Sequence, residues 1–199
     1  MDKKFLLGCG GALVAFIFFI AIWSISSYNK LVSKNEGVNQ QWGQVQNQYQ
    51  RRMDLIPNLV NTVKGYAAHE KATLEGVINA RSKATSIQLT PEALNDPKSV
   101  AKFQQVQGEL SSALSRLMAV AENYPNLKAN ENFLQLQSQL EGTENRIARE
   151  RQKYNDVVKD YNLSVKRFPS AIFAGMFGYR DKPYFEAKTG AENPPSVSF

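Results

Sequence analysis

His69 is the only histidine in a chain of 199 residues, and it opens the stretch closest to a metal-binding motif. His69-Glu70-Lys71-Ala72-Thr73 starts as the zinc-protease pattern H-E-x-x-H does, but Thr73 stands where the second imidazole is needed. Both imidazoles, at i and i+4, are required to grip zinc from one helix face. One histidine also excludes the paired Glu-x-x-His ligands of di-iron bundles. A Ser-His-Asp triad would have to use His69, and no nucleophile-elbow pattern is present. There is no phosphate-cradling G-x-x-x-x-G-K-[ST], and Gly37, Gly43 and Gly65 stand alone in helical runs. Glu141 and Glu144 lie beside Arg146 and Arg149, which reads as a solvated helix face rather than an acid–base pair. With these constellations missing, the expectation is a chain that is not an enzyme and uses no metal or cofactor.

Charge does not supply a function either. The formal net charge is +6, but the basic residues form no strip interleaved with aromatics, so nucleic acid is not an expected partner. Cys9 is the single cysteine, which excludes an internal disulfide. Leu6-Leu7-Gly8-Cys9 looks superficially like a lipobox. The apolar residues before it are too few for a signal-peptide core of about 7–15 residues.

What the sequence does specify is a set of long helices. Phe5 to Ile25 contains no charged residue, and about 20 apolar residues cross the hydrocarbon core of a bilayer. Phe5, Phe16, Phe19 and Ile25 are expected to span the membrane, with Trp23 and Tyr28 at its interface. No small-residue cleavage site follows, so residues 1–27 read as an uncleaved signal anchor. Lys3 and Lys4 slightly favour an amino terminus in the cytoplasm and a domain outside it.

Residues 28–187 read as an all-α domain, an antiparallel up-and-down four-helix bundle with a short apolar C-terminal segment. The first seam is Leu31, Val38, Trp42, Val45 and Tyr49, spaced as one helix face. Around residues 51–56 the local signals favour a turn carried by Arg52, Asp54 and Pro57: Asp54 suits an N-cap, and proline pushes Ile56 out of the α region. The competing reading is one long helix kinked at Pro57. A second seam runs through Ile56, Val60, Val63, Ala67, Leu74, Val77 and Ala84. Thr90-Pro91 and Asp96-Pro97 each place proline at a first helical position, the second opening a helix that buries Phe103, Val106, Leu110, Leu114, Leu117, Ala121 and Tyr124. Tyr124 and Pro125 mark the next turn. The last helix, from about Lys128 to Phe168, carries Phe133, Leu136, Leu140, Ile147, Tyr154, Val158, Tyr161, Val165 and Phe168 at near-heptad, coiled-coil-like spacing. Arg52, Glu144 and Arg151 fall on or beside these seams, either as snorkelling rim residues or as a buried interhelical pair. Tyr28-Asn29, Tyr154-Asn155 and Tyr161-Asn162 share a Y-N-x-x-V frame, read as helix-packing chemistry. The apolar segment 170–185 offers Phe173, Met176, Phe177, Tyr179, Tyr184 and Phe185 as a contact for the membrane or a neighbouring subunit, and residues 188–199 read as a flexible tail.

Three stretches, RRMDLIPNLVNTVKGYAAHE (51–70), ENYPNLKANENFLQLQSQLEGTENRIARERQKYNDVVKDYN (122–162) and FPSAIFAGMFGY (168–179), resemble the LemA family of bacterial membrane proteins. The likeness covers roughly residues 28–187. It implies one N-terminal transmembrane helix followed by a four-helix bundle, and its relatives include a protein of magnetosome membranes. The long seams, the polar Gln/Asn faces and the spare apolar segment lead to the expectation of a scaffold in the bacterial inner membrane that self-associates as a homo-oligomer. The alternative is an adaptor for another envelope membrane protein, such as a protease or quality-control factor, with its patch on 53–70 or 121–133.

Overall fold

A computed structural model describes the backbone of residues 3–186 and the side chains of residue 11 and residues 13–186. The expected tail 188–199 and the side chain of Phe5 lie outside the described residues. Among those described there is no strand. The helices are α1 (Lys3–Tyr66), α2 (Lys71–Ser86), α3 (Pro97–Ala121), α4 (Pro125–Lys128), α5 (Glu131–Lys166) and α6 (Ser170–Met176), with a 3-10 turn at Ala93–Asn95 before α3. The start of α3 follows from its sequence: the Asp96 carboxylate accepts from the backbone N–H groups of Lys98 and Ser99 at 3.1 Å each, and Pro97 takes the first helical position. Asn130 does the same for α5, accepting from Phe133 N at 3.0 Å. Tyr124 stands between α3 and α4, and Pro125 opens the short α4.

The turn expected at 51–56 does not form. Arg52, Asp54 and Pro57 all lie inside α1, which runs unbroken to Tyr66. Proline at 57 leaves the carbonyl four residues earlier, that of Met53, without its helical donor. The Arg81 side chain of α2 supplies the missing bond: its Nε donates to Met53 O at 3.0 Å. The buried stripe also keeps its phase across the proline, through Tyr49, Arg52, Ile56, Leu59 and Val63, in steps of three and four. Unfolding α1 here would expose that whole face. Replacing Arg81 by alanine is therefore expected to cost about 1–2 kcal/mol, the usual penalty for stranding a buried acceptor. In a Pro57→Ala background the cost should shrink, because residue 57 regains an N–H for Met53. Chemical denaturation of the four variants measures this, and equal costs in both backgrounds would refute the assignment.

The reversal of the chain comes at residues 67–70 instead, so the second helix is shorter than expected. No strong breaker marks that point. It is held by partners distant in sequence: Asn130 Nδ2 donates to Tyr66 Oη at 3.0 Å, and Tyr124 Oη donates to Glu70 Oε1 at 3.1 Å.

The chain divides into two compact units, Met1–Gln40 with Val157–Asp181, and Gln41–Asp156 with Lys182–Phe199. The helix passes through residue 27 without a break, so the expected edge between anchor and domain is one of composition. Within the larger unit, the end of α1, then α2, α3 and the first part of α5 form an up-and-down four-helix bundle. Gln41 bonds Glu150 at one end of the α1–α5 pair and Tyr66 meets Asn130 at the other, which makes that pair antiparallel. Its core includes Ile56, Leu59, Val63, Val77, Leu110, Leu117, Leu127 and Phe133. Within the smaller unit, α1 pairs with the end of α5: Leu31 and Val38 are buried, as are Val158 and Tyr161, and Lys34 meets Asp160 at 3.6 Å.

Candidate functional site

The smaller unit carries the helix that fits a single-pass membrane anchor. Among the described residues, α1 is the one helix long and apolar enough to cross a membrane, and none of its most apolar window is buried inside the chain. Phe16, Phe19 and Ile25 are all exposed. A soluble core helix of that composition would be covered by its own protein, so these side chains are fitted to lipid.

Where the apolar run ends, α6 packs onto it through aromatic rings. Phe173 lies edge-on to Trp23 with ring centres 5.3 Å apart, Phe177 to Tyr28 at 4.8 Å, and Tyr179 to Tyr28 at 6.4 Å. Such edge-to-face pairs add to simple burial. Tyr161 Oη donates to Arg180 O at 2.9 Å and fixes the chain leaving α6. Burial pushes the Tyr161 phenol up to about 12, helped by Tyr179 and Asp181. Burial also raises Tyr179, with Tyr28 as a further cause. Both hydroxyls therefore stay protonated, as hydrogen-bond donors, at any physiological pH.

The expected contact set separates on inspection. Phe173, Phe177 and Tyr179 face the anchor, Met176 points outward, and Tyr184 is exposed in the larger unit. Phe185 is a correction: it is 5% exposed, so it cannot reach a membrane or a neighbour. It stacks on Trp42 at 5.9 Å, lies edge-on to Tyr154 at 5.1 Å and sits beneath the Arg151 guanidinium at 4.9 Å. Asn155, from one of the Y-N pairs, clamps its backbone with two bonds: Nδ2 donates to Phe185 O at 2.9 Å, and Phe185 N donates to Oδ1 at 2.8 Å. Phe168, expected in the α5 seam, is instead exposed, because α5 ends at Lys166. Sequence reasoning also passed over Ile172 and the basic pair Lys166-Arg167. The spacing of four between Ile172 and Met176 was the available signal.

In the larger unit the seam charges form a buried joint. Arg52 is 1% exposed. Its Nη1 donates to Glu144 Oε1 at 2.7 Å and Ser111 Oγ at 3.0 Å, Nη2 donates to Gln107 Oε1, and its Cζ stands 5.2 Å from the centre of the Tyr49 ring. One side chain from α1 thus ties α3 to α5. The joint floors an open groove of about 1160 Å³ between these helices, rimmed by Gln104, Ser115, Gln137, Glu141 and Tyr184. No group of three or more His, Cys, Asp or Glu side chains able to hold a metal occurs among the described residues. The stretch 53–70, weighed as a partner patch, turns most of its apolar residues inward, Met53, Ile56, Leu59 and Val63 included.

The LemA family model matches residues 41–199. The chain belongs to the LemA family. Its relatives include magnetosome protein MamQ 2 of Paramagnetospirillum magneticum, 26% identical, with 92% of this chain and 73% of the relative covered. Magnetosome protein MamQ of Magnetospirillum gryphiswaldense is 25% identical over 92% of this chain and 72% of its own length. Protein LemA of Metamycoplasma hominis is 24% identical over 86% and 77%. In this LemA chain the three stretches that carried the resemblance fall on the end of α1 with its reversal, on α4 with most of α5, and on α6.

Proposed function

We propose that this LemA-family chain is a membrane-anchored structural protein that self-associates and organises the bacterial envelope, with no catalysis of its own. In this reading it crosses the inner membrane once and carries its bundle outside the cytoplasm, as Lys3 and Lys4 before the span favour. The observation that carries the proposal is how the polar side chains are used. The carboxylates whose acidity is moved all move downward, away from what a general acid at neutral pH needs. Glu92 is held by its own backbone N–H and by Thr90, Asp96 by the Ser99 hydroxyl and the Lys98 N–H, Glu150 by Lys153 and Gln41, and Asp181 by Lys166. Asp96 caps α3, Glu150 joins α5 to α1, and Asp181 joins the C-terminal segment to α5. Relatives named as magnetosome proteins are consistent with a part in an assembled structure.

The test is the particle mass of the full-length chain extracted into polymer nanodiscs. A large, discrete homo-oligomer is expected. A monomer or dimer would sink the scaffold and leave the adaptor reading, which the open α3–α5 groove favours as a seat for a partner segment; crosslinking in cells would then identify that partner.

A further inference from the structure

We infer that α6 is a lipid-immersed interfacial helix, held at the bilayer surface by the anchor and presenting Ile172 and Met176, with Phe168 of the preceding turn, to the acyl-chain boundary. Ile172 and Met176 stand one helical turn apart on α6, 54% and 73% exposed, and Phe168 in the turn before it is 83% exposed. The opposite side of α6 is already occupied, with Ala174 buried and Phe173 against Trp23. An apolar stripe that remains outside after the inner face is filled marks an interaction surface.

Its height fixes the occupant. Tryptophan at the end of a membrane span sits at headgroup level, and the Phe173–Trp23 contact at 5.3 Å holds α6 at that level. Ile22 and Ile25, the last large aliphatic residues of the apolar run, are themselves exposed beside Trp23 in the sequence. Exposed Lys30, Arg167 and Arg180 lie in the segments around the stripe, suited to lipid phosphates. A second copy covering the stripe would instead bring those same cations together, which like-charge repulsion opposes. The apolar payload on one side with cations at its edge is the pattern of a helix lying in the interface. Because the anchor delivers α6 to the surface, a single short helix suffices where a free one would not bind. It adds a second lipid contact beside the span and resists tilting or rotation of α1 where it leaves the membrane.

The inference rests on reading α1 as the membrane anchor, and spin labels test the two separately. In the full-length chain carrying Cys9→Ser, single cysteines are introduced as Ile22→Cys, Ile172→Cys, Met176→Cys and, on exposed α2 surface, Asn79→Cys. Each is nitroxide-labelled and reconstituted into phosphatidylethanolamine–phosphatidylglycerol vesicles. Power saturation then compares collisions with oxygen, which concentrates in lipid, and with a water-soluble nickel chelate. Labels at 172 and 176 are expected to show an oxygen-to-nickel ratio several-fold above that at 79 and to approach that at 22. If 172 and 176 match 79 while 22 is oxygen-rich, α6 lies in water and the proposal is overturned with the anchor intact. Shielding of 172 and 176 from both reagents means that protein covers them, which also overturns it. A nickel-accessible label at 22 removes the anchor and the proposal together.

Discussion

Trp42→Ala is expected to destabilise the bundle by about 3–5 kcal/mol, the range for deleting a large aromatic from a packed core. Trp42 is 1% exposed and joins parts of the chain that are far apart in sequence. Its ring meets Phe103 of α3 at 5.5 Å, Tyr154 of α5 at 6.0 Å and Phe185 at 5.9 Å, and its Nε1 donates to Leu89 O at 3.0 Å. Gln46 Nε2 also donates to that carbonyl, at 3.2 Å, so the acceptor keeps a partner when the indole is gone. The loss is therefore mainly one of packing and cavity formation. For a domain of this size it corresponds to a fall of roughly 10 °C in Tm, read by circular dichroism of the solubilised protein. Phe185 should loosen with it, so chymotrypsin should cut after Phe185 sooner than in the parent. A loss below about 1 kcal/mol would mean that the aromatic cage is not the organiser it looks to be.

How much of this was legible in the sequence depends on whether the deciding contact was local. The start of α3 could be read from Asp96-Pro97 because cap and proline act within one turn. The seams could be read because burial follows helical spacing: Phe103, Val106, Leu110, Leu114, Leu117 and Ala121 are all in the core. Pro57 misled because its remedy, the Arg81 side chain, lies 28 residues beyond the Met53 carbonyl that it serves. The phase of the stripe through Tyr49, Ile56 and Val63 was the better guide, since a turn would have broken it. Phe185 misled in the opposite way. Its neighbours Pro183 and Tyr184 belong to an exposed-looking run, and nothing nearby announces that Trp42 and Asn155 will bury it. For the membrane end, composition gave the anchor, but only the structure shows which α6 rings face it and which side chains are left outside.

The joint at Arg52 should show an asymmetry between its two charges. Glu144→Ala leaves a guanidinium at 1% exposure with only Ser111 and Gln107 as partners. Removing one member of a buried pair typically costs about 3–5 kcal/mol. Glu144 itself is 42% exposed, so water entering the groove reduces this to roughly 2 kcal/mol. Arg52→Met removes more buried atoms yet should cost about 1 kcal/mol or less, because an apolar chain of similar length fills the space and the charge needing a partner is gone. Ser111 keeps its bond to Gln107 O at 3.2 Å, and Glu144 turns to solvent. The double variant should then be close to Arg52→Met alone, giving a coupling of about 2 kcal/mol in a double-mutant cycle. Strictly additive losses would mean that the two groups do not depend on each other. An Arg52→Met loss larger than that of Glu144→Ala would mean that the guanidinium earns its place through Gln107, Ser111 and the Tyr49 ring, binding α1 to α3, with α5 secondary. The expected ordering instead makes the charge a device for register: it fixes how α1, α3 and α5 line up rather than adding the last increment of stability.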